Sequence, residues 1–175
     1  MERKRLLMIA VVFFFLMVLG NTPVIAEDSE TSRATLAGLQ GTAVIIEDLQ
    51  PNVQKYASKS GLTKEQILRD VSQRLSAAGI RMVTGNEWQK IPGQPMLYIN
   101  INTHETEKYW FAYDVRVALR QMATLDSNPH LKTFATTWSL NITGQANIGT
   151  LHLIRQDAGV MVDRFVQAYR LANKK

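Results

Sequence analysis

The chain of 175 residues contains no cysteine. That absence excludes disulfides, thiol catalysis and cysteine-bound metal together, and it removes the lipid-accepting cysteine that bacterial lipoproteins carry directly after their leader. Long apolar runs are also missing. The longest, Leu6 to Leu19, is shorter than the roughly 20 residues a membrane-spanning helix needs. There is no block of like charge past the first few residues, no internal repeat and no low-complexity segment. Stability must therefore come from a hydrophobic core, and a chain of this length can bury one as a single domain.

What is present at the start is a three-part pattern. Arg3, Lys4 and Arg5 precede the apolar run, and a polar break at Asn21, Thr22 and Pro23 leads to the small residue Ala26. This is the pattern of a secretory signal peptide over residues 1–26. Three basic residues and one acidic residue leave with it, so the formal charge falls from +5 to +3. The basic balance is partly the leader's, and nothing points to nucleic acid as a partner. An exported product that is not lipidated, periplasmic or extracellular, with no membrane span after leader cleavage, is the expectation. Oligomeric state is left open.

Residues 27–38 are small and polar without a sustained period and read as a mobile lead-in. A single domain over 39–175 follows. Val44, Ile45 and Ile46 mark a buried strand that ends by Asp48 and Pro51. Thr63 with Gln66 forms a capping-box pattern, Leu62 and Ile67 a hydrophobic staple, and Ile67, Val71, Leu75 and Ala78 recur at helical spacing before Gly79. A short strand is predicted from Ile80 to Gly85, then a loop rich in proline and glycine.

The pattern then switches to period two. Leu97, Ile99 and Ile101 share one face. In the next segment Tyr109, Phe111, Tyr113, Val115, Val117 and Leu119 take one parity, against Trp110, Asp114, Arg116 and Arg120 on the other. Phe134, Thr136, Trp138, Leu140 and Ile142 alternate with Thr133, Ala135, Thr137, Ser139 and Asn141. Three long strands joined by short turns make an antiparallel meander. Ile154, Ala158, Met161, Val162, Phe165 and Tyr169 define a closing helix, with Gly159 inside it either allowing a close helix-to-sheet approach or merely tolerated. The predicted order is β-α-β-β-β-β-α: an α+β fold with a mixed sheet and both helices on one face.

Chemistry is harder to find than architecture. His104, His130 and His152 stand at no recognised ligand spacing, so no metal site is assigned. No G-x-S-x-G elbow and no phosphate-binding loop occurs. Neither catalytic residues nor a cofactor can be named. The useful feature is the second face of the meander, where Tyr98, Trp110, Arg116 and Arg120 are residue types enriched at interface hot spots. That face predicts a non-enzymatic binding or adaptor domain, with the sheet face or a sheet edge as contact surface. The alternative is a carrier holding a small apolar ligand between helices and sheet, lined by Phe111, Tyr113, Phe134, Trp138 and Phe165.

The strings "GLTKEQI", "YININTH" and "FATTWS", within a pattern that spans nearly all of the chain beyond the leader, resemble a group of small exported bacterial proteins with no established function. More loosely, two helices on one face of a mixed sheet are similar to envelope modules such as the LPS-assembly lipoprotein LptE and the N-terminal domain of TolB. The resemblance implies an envelope protein or envelope component as partner. The chain departs from the first in lacking the lipidated cysteine and from the second in lacking a propeller. No functional residue carries over, because fold does not imply function.

Overall fold

Period-two patterning over the second half of the chain builds most of the sheet. The computed structural model describes residues 28–174, so the expected leader, residues 1–26, lies outside the described residues. In chain order the elements are α1 (Glu30–Ala34), β1 (Ala43–Ile46), α2 (Pro51–Ser60), α3 (Lys64–Ala77), α4 (Gly85–Lys90), β2 (Met96–Glu107), β3 (Trp110–Leu125), β4 (Asn128–Asn147) and α5 (His152–Ala172). The sheet order is β1-β2-β3-β4. β1 pairs with β2 in parallel, and β2–β3 and β3–β4 are antiparallel. The fold is α+β, a mixed sheet with a long meander, as the patterning predicts. No helix among the described residues is long and apolar enough to cross a membrane.

The core lies between one sheet face and the helices. Leu97, Ile99, Val115, Val117 and Leu119 from the sheet are fully buried together with Ile67, Val71 and Leu75 of α3 and Ile154, Val162 and Phe165 of α5. Each such side chain contributes about 1.5–3 kcal/mol by leaving water. Trp138 meets Phe165 edge to face with centroids 5.3 Å apart. Thr63 caps α3 by accepting from the Gln66 backbone N–H at 3.3 Å, and Leu62 and Ile67 are buried as the staple requires. α3 and α5 are tied by Arg155, whose guanidinium donates to both Asp70 oxygens at 2.7 and 3.0 Å. Gly159 is where the two helices come close. A Cβ there would lie 2.7 Å from Arg74 Nη2, so the close approach is helix to helix rather than helix to sheet.

Four local readings change. The strand expected from Ile80 to Gly85 reduces to one parallel bridge between Thr42 and Met82, because α4 begins at Gly85 and leaves no length for a ladder. Pro51, read as a strand stop, is the first residue of α2, where a missing N–H costs nothing; Gly61 ends that helix in the left-handed region at φ 70°. The loop rich in proline and glycine, expected after the Ile80–Gly85 strand, holds the short helix α4. The segment 27–38, expected as a mobile lead-in, includes α1 within its described part and buries Leu36 completely.

Candidate functional site

Register places the outer-face residues in rows across β2, β3 and β4. From one end these are Glu107–Trp110–Asn147, His104–Ala112–Gln145, Asn102–Asp114–Thr143, Asn100–Arg116–Asn141 and Tyr98–Ala118–Ser139. Met96–Arg120–Thr136 follows past a bulge, since Leu119 pairs with Trp138 but Arg120 pairs with Thr136. Thr137 is thus the extra residue. A bulge inverts the parity of whatever follows it.

That inversion corrects one expected core residue. Phe134 pairs with Met122 on the outer side, is 40% exposed, and stacks on Trp88 of α4 at 6.1 Å between centroids with 12° between planes. Tyr109 also leaves the expected core parity. It sits in the β2–β3 turn at φ 69°, 41% exposed, its ring edge-on to Tyr56. Ile45, read as part of a buried strand, faces outward beside Tyr98 and is 43% exposed.

Of the four residues singled out for the outer face, the structure brings two together. The Arg120 guanidinium lies 3.8 Å over the centre of the Tyr98 ring. Arg116 is exposed midway along β3, its Nη2 donating to Ser139 Oγ at 3.5 Å. Trp110 is 45% exposed but stands about 33 Å along β3 from Arg120 at roughly 3.3 Å per residue. The face therefore has two unlike ends. The Arg120 end is apolar and aromatic, with Ile45, Trp88, Tyr98 and Phe134, and beside it Val44, Val83 and Met96 help to line a hollow of about 200 Å³. The Trp110 end is polar. There a shallow depression of about 740 Å³ opens over Ala112, bordered by Asn102, His104, Asp114, Thr143 and Gln145.

Amide side chains stiffen the polar end. Gln50 Nε2 donates to Asn102 Oδ1 at 3.1 Å, Asn102 Nδ2 to Asn100 Oδ1 at 2.6 Å, and Asn100 Nδ2 to Glu47. Asn141 Nδ2 donates to Asp114 Oδ2 at 3.3 Å. His104, His130 and His152 lie on β2, β4 and α5 respectively. Among the described residues, no group of three or more histidines and carboxylates is close enough to hold a metal ion.

The residues expected to line a carrier cavity are differently employed. Phe111, Trp138 and Phe165 are fully buried core side chains, Phe134 is on the other face, and Tyr113 donates its hydroxyl to Asp157 Oδ2 at 2.5 Å. Burial first, and the Asp157 carboxylate second, push the Tyr113 phenol up to about 12. Three of the outer-end residues were invisible to parity alone. Trp88 comes from a helix hidden in a loop-like stretch, Phe134 is moved by the bulge, and Ile45 follows from β1 facing solvent on one side.

Fold and face together define an α+β domain with α2, α3 and α5 on one side of a mixed sheet and, on the second side, Trp88 of α4 stacked at one end. No family model matches the chain, and no curated protein matches it. Among solved structures it is similar to a minor lipoprotein from Acinetobacter baumannii, with 9% sequence identity and a TM-score of 0.33, covering 78% of this chain and 92% of that one.

Proposed function

We propose that the protein is an exported, non-enzymatic binding domain that acts as an adaptor in the cell envelope, engaging a protein partner through the Arg120 end of the outer face. The observation that carries this reading is the Arg120 guanidinium seated on Tyr98, with Ile45 and Phe134 left exposed beside it. Aromatic and arginine side chains supply most of the binding energy at protein interfaces. Mounted on paired strands they lose little freedom on binding, which favours affinity. The adjoining apolar hollow suits a single aliphatic side chain of the partner. Export and the envelope setting rest on the leader pattern and on the resemblance described above. Arg116 and Trp110 extend the contact surface along β3.

The test is affinity capture, after crosslinking, of the tagged protein from the envelope fraction of its native source. Tyr98→Ala combined with Arg120→Ala should remove the captured partner while the variant keeps the far-UV circular dichroism spectrum and a cooperative melt. Trp110→Ala, far along the strand, should weaken capture without removing it. A partner retained at full yield by the Tyr98/Arg120 variant would reject this contact surface.

A further inference from the structure

Open strand edges invite another strand, and proteins blunt them with short length, proline, lysine, or a covering segment. Three stretches of edge in this sheet are protected in such ways. β1 is four residues long and bridged at Thr42 by Met82. Where β2 runs past the end of β1, side chains occupy its backbone: Gln50 Oε1 accepts from the Thr103 N–H at 2.7 Å and Asn52 Nδ2 donates to the Thr103 carbonyl at 2.9 Å. Near the bulge α1 lies against β4, and Thr35 Oγ1 donates to the Thr137 carbonyl at 3.4 Å.

The fourth stretch has no such device. From Leu140 to Ala146, among the described residues, no backbone hydrogen bond reaches β4 from outside the sheet. From Thr133 to Asn147 the strand also contains no charged residue and no proline. A strand with this composition, left open, is an aggregation hazard.

We propose that this edge is a homodimer interface, pairing antiparallel with the same edge of a second copy about a two-fold axis through Thr143. Two features of β4 fit that partner. In a two-fold pairing a charge near the axis meets its own like charge, and this segment has none. In the register centred on Thr143, Ile142 stands opposite Gly144 of the second copy and Leu140 opposite its Ala146, large against small on the core side. On the outer side Asn141 meets Gln145, and Thr143 meets itself, pairs that hydrogen-bond across strands. Gly144 lies under the hydroxyl end of the Tyr113 ring, with Cζ, Oη and Cε1 over it, so Ile142 of the second copy would arrive beside that ring. The result is one continuous eight-stranded sheet, since each copy contributes the four strands of its own.

The absence of cysteine makes the test specific. Facing residues in an antiparallel pair have Cα atoms about 4.5–5.5 Å apart, within the range a disulfide needs. The full chain, expressed with its leader and purified as the host exports it, is examined by sedimentation and by oxidation of single-cysteine variants. The wild type should sediment as a dimer in the micromolar range, and Thr143→Cys should oxidise to a covalent dimer. Thr124→Cys, at the β3–β4 hairpin tip, should remain monomeric on non-reducing gels. Thr143→Lys, which places two like charges on the axis, should sediment as a monomer with an unchanged far-UV circular dichroism spectrum, and its melting temperature, unlike that of the wild type, should not rise with protein concentration. A wild-type monomer throughout this range, or crosslinking at position 124 as efficient as at 143, would overturn the proposal.

Discussion

The Asp28 carboxylate accepts a hydrogen bond from Trp138 Nε1 at 2.8 Å and two more from Arg33, at 2.7 and 2.9 Å. The start of the described chain is thereby tied to the middle of β4. Burial alone would raise the Asp28 pKa, but the hydrogen bonds from Arg33 and Trp138 and the charges of Arg33 and Arg164 outweigh it and hold the group below its ordinary 3.8. A depressed carboxylate contributes stability that is complete above its unfolded pKa and lost as pH falls through the lower folded value. Asp28→Asn should therefore lose about 1–3 kcal/mol at pH 7. The gap to the wild type should narrow once the pH drops below about 4. Urea titrations followed by tryptophan fluorescence at both pH values check this; a gap that is the same at both would assign the effect to packing.

Gly144 is required by Tyr113. A Cβ at that position would fall 2.5 Å from Tyr113 Cζ and Oη, so Gly144→Ala must push the ring aside and break its hydrogen bond to Asp157. The expected loss is about 1–3 kcal/mol, the usual cost of overpacking. A second readout separates this from general damage. Tyr113 is held up to about 12 in the folded protein, so its stabilising effect is present below the ordinary tyrosine value of 10.0 and fades as pH rises toward the folded one. In the variant, absorbance titration should find this tyrosine ionising nearer the ordinary value. An unchanged titration would show that the ring keeps its place.

Thr42 stands in for a missing ladder bond. Its buried hydroxyl accepts from the Leu97 N–H at 3.0 Å and lies 3.0 and 3.2 Å from the carbonyls of Ala43 and Pro95. Thr42→Val keeps the shape and leaves the Leu97 N–H without an acceptor, which should cost about 1–3 kcal/mol. Thr42→Ser should cost less, because it restores the oxygen and loses only a methyl. Denaturant unfolding of the two variants decides the matter, and equal losses would mean that the methyl, not the hydroxyl, is what the site needs.

Legibility followed the range of the signal. The helix at 64–77 could be read because Thr63, Gln66, Ile67, Val71 and Leu75 state its start and its buried face within about three turns. The buried parity of β3 could be read from Phe111, Val115, Val117 and Leu119. α2 was hidden because Pro51 ends a strand as readily as it opens a helix, and only the packing of Val53 and Ala57 into the core distinguishes the two. On the candidate face, Tyr98 and Arg120 could be assigned to the same side, but their contact could not. They lie on different strands, and the diagonal that joins them exists only once Met96 is set opposite Arg120.

The sequence by itself determined the α+β class, the meander, the main helices and the face that turns away from them, because these depend on local periodicity and capping. The tertiary structure alone decided which further residues join that face and which of its residues touch. The bulge at Thr137 moves Phe134 from the core side to the outer side, an event that belongs to the pairing of two strands and to neither strand separately. It also decided where the sheet is open, since the side chains of Gln50 and Asn52 close one edge from a distant part of the chain, while among the described residues no backbone hydrogen bond from outside the sheet reaches β4 from Leu140 to Ala146.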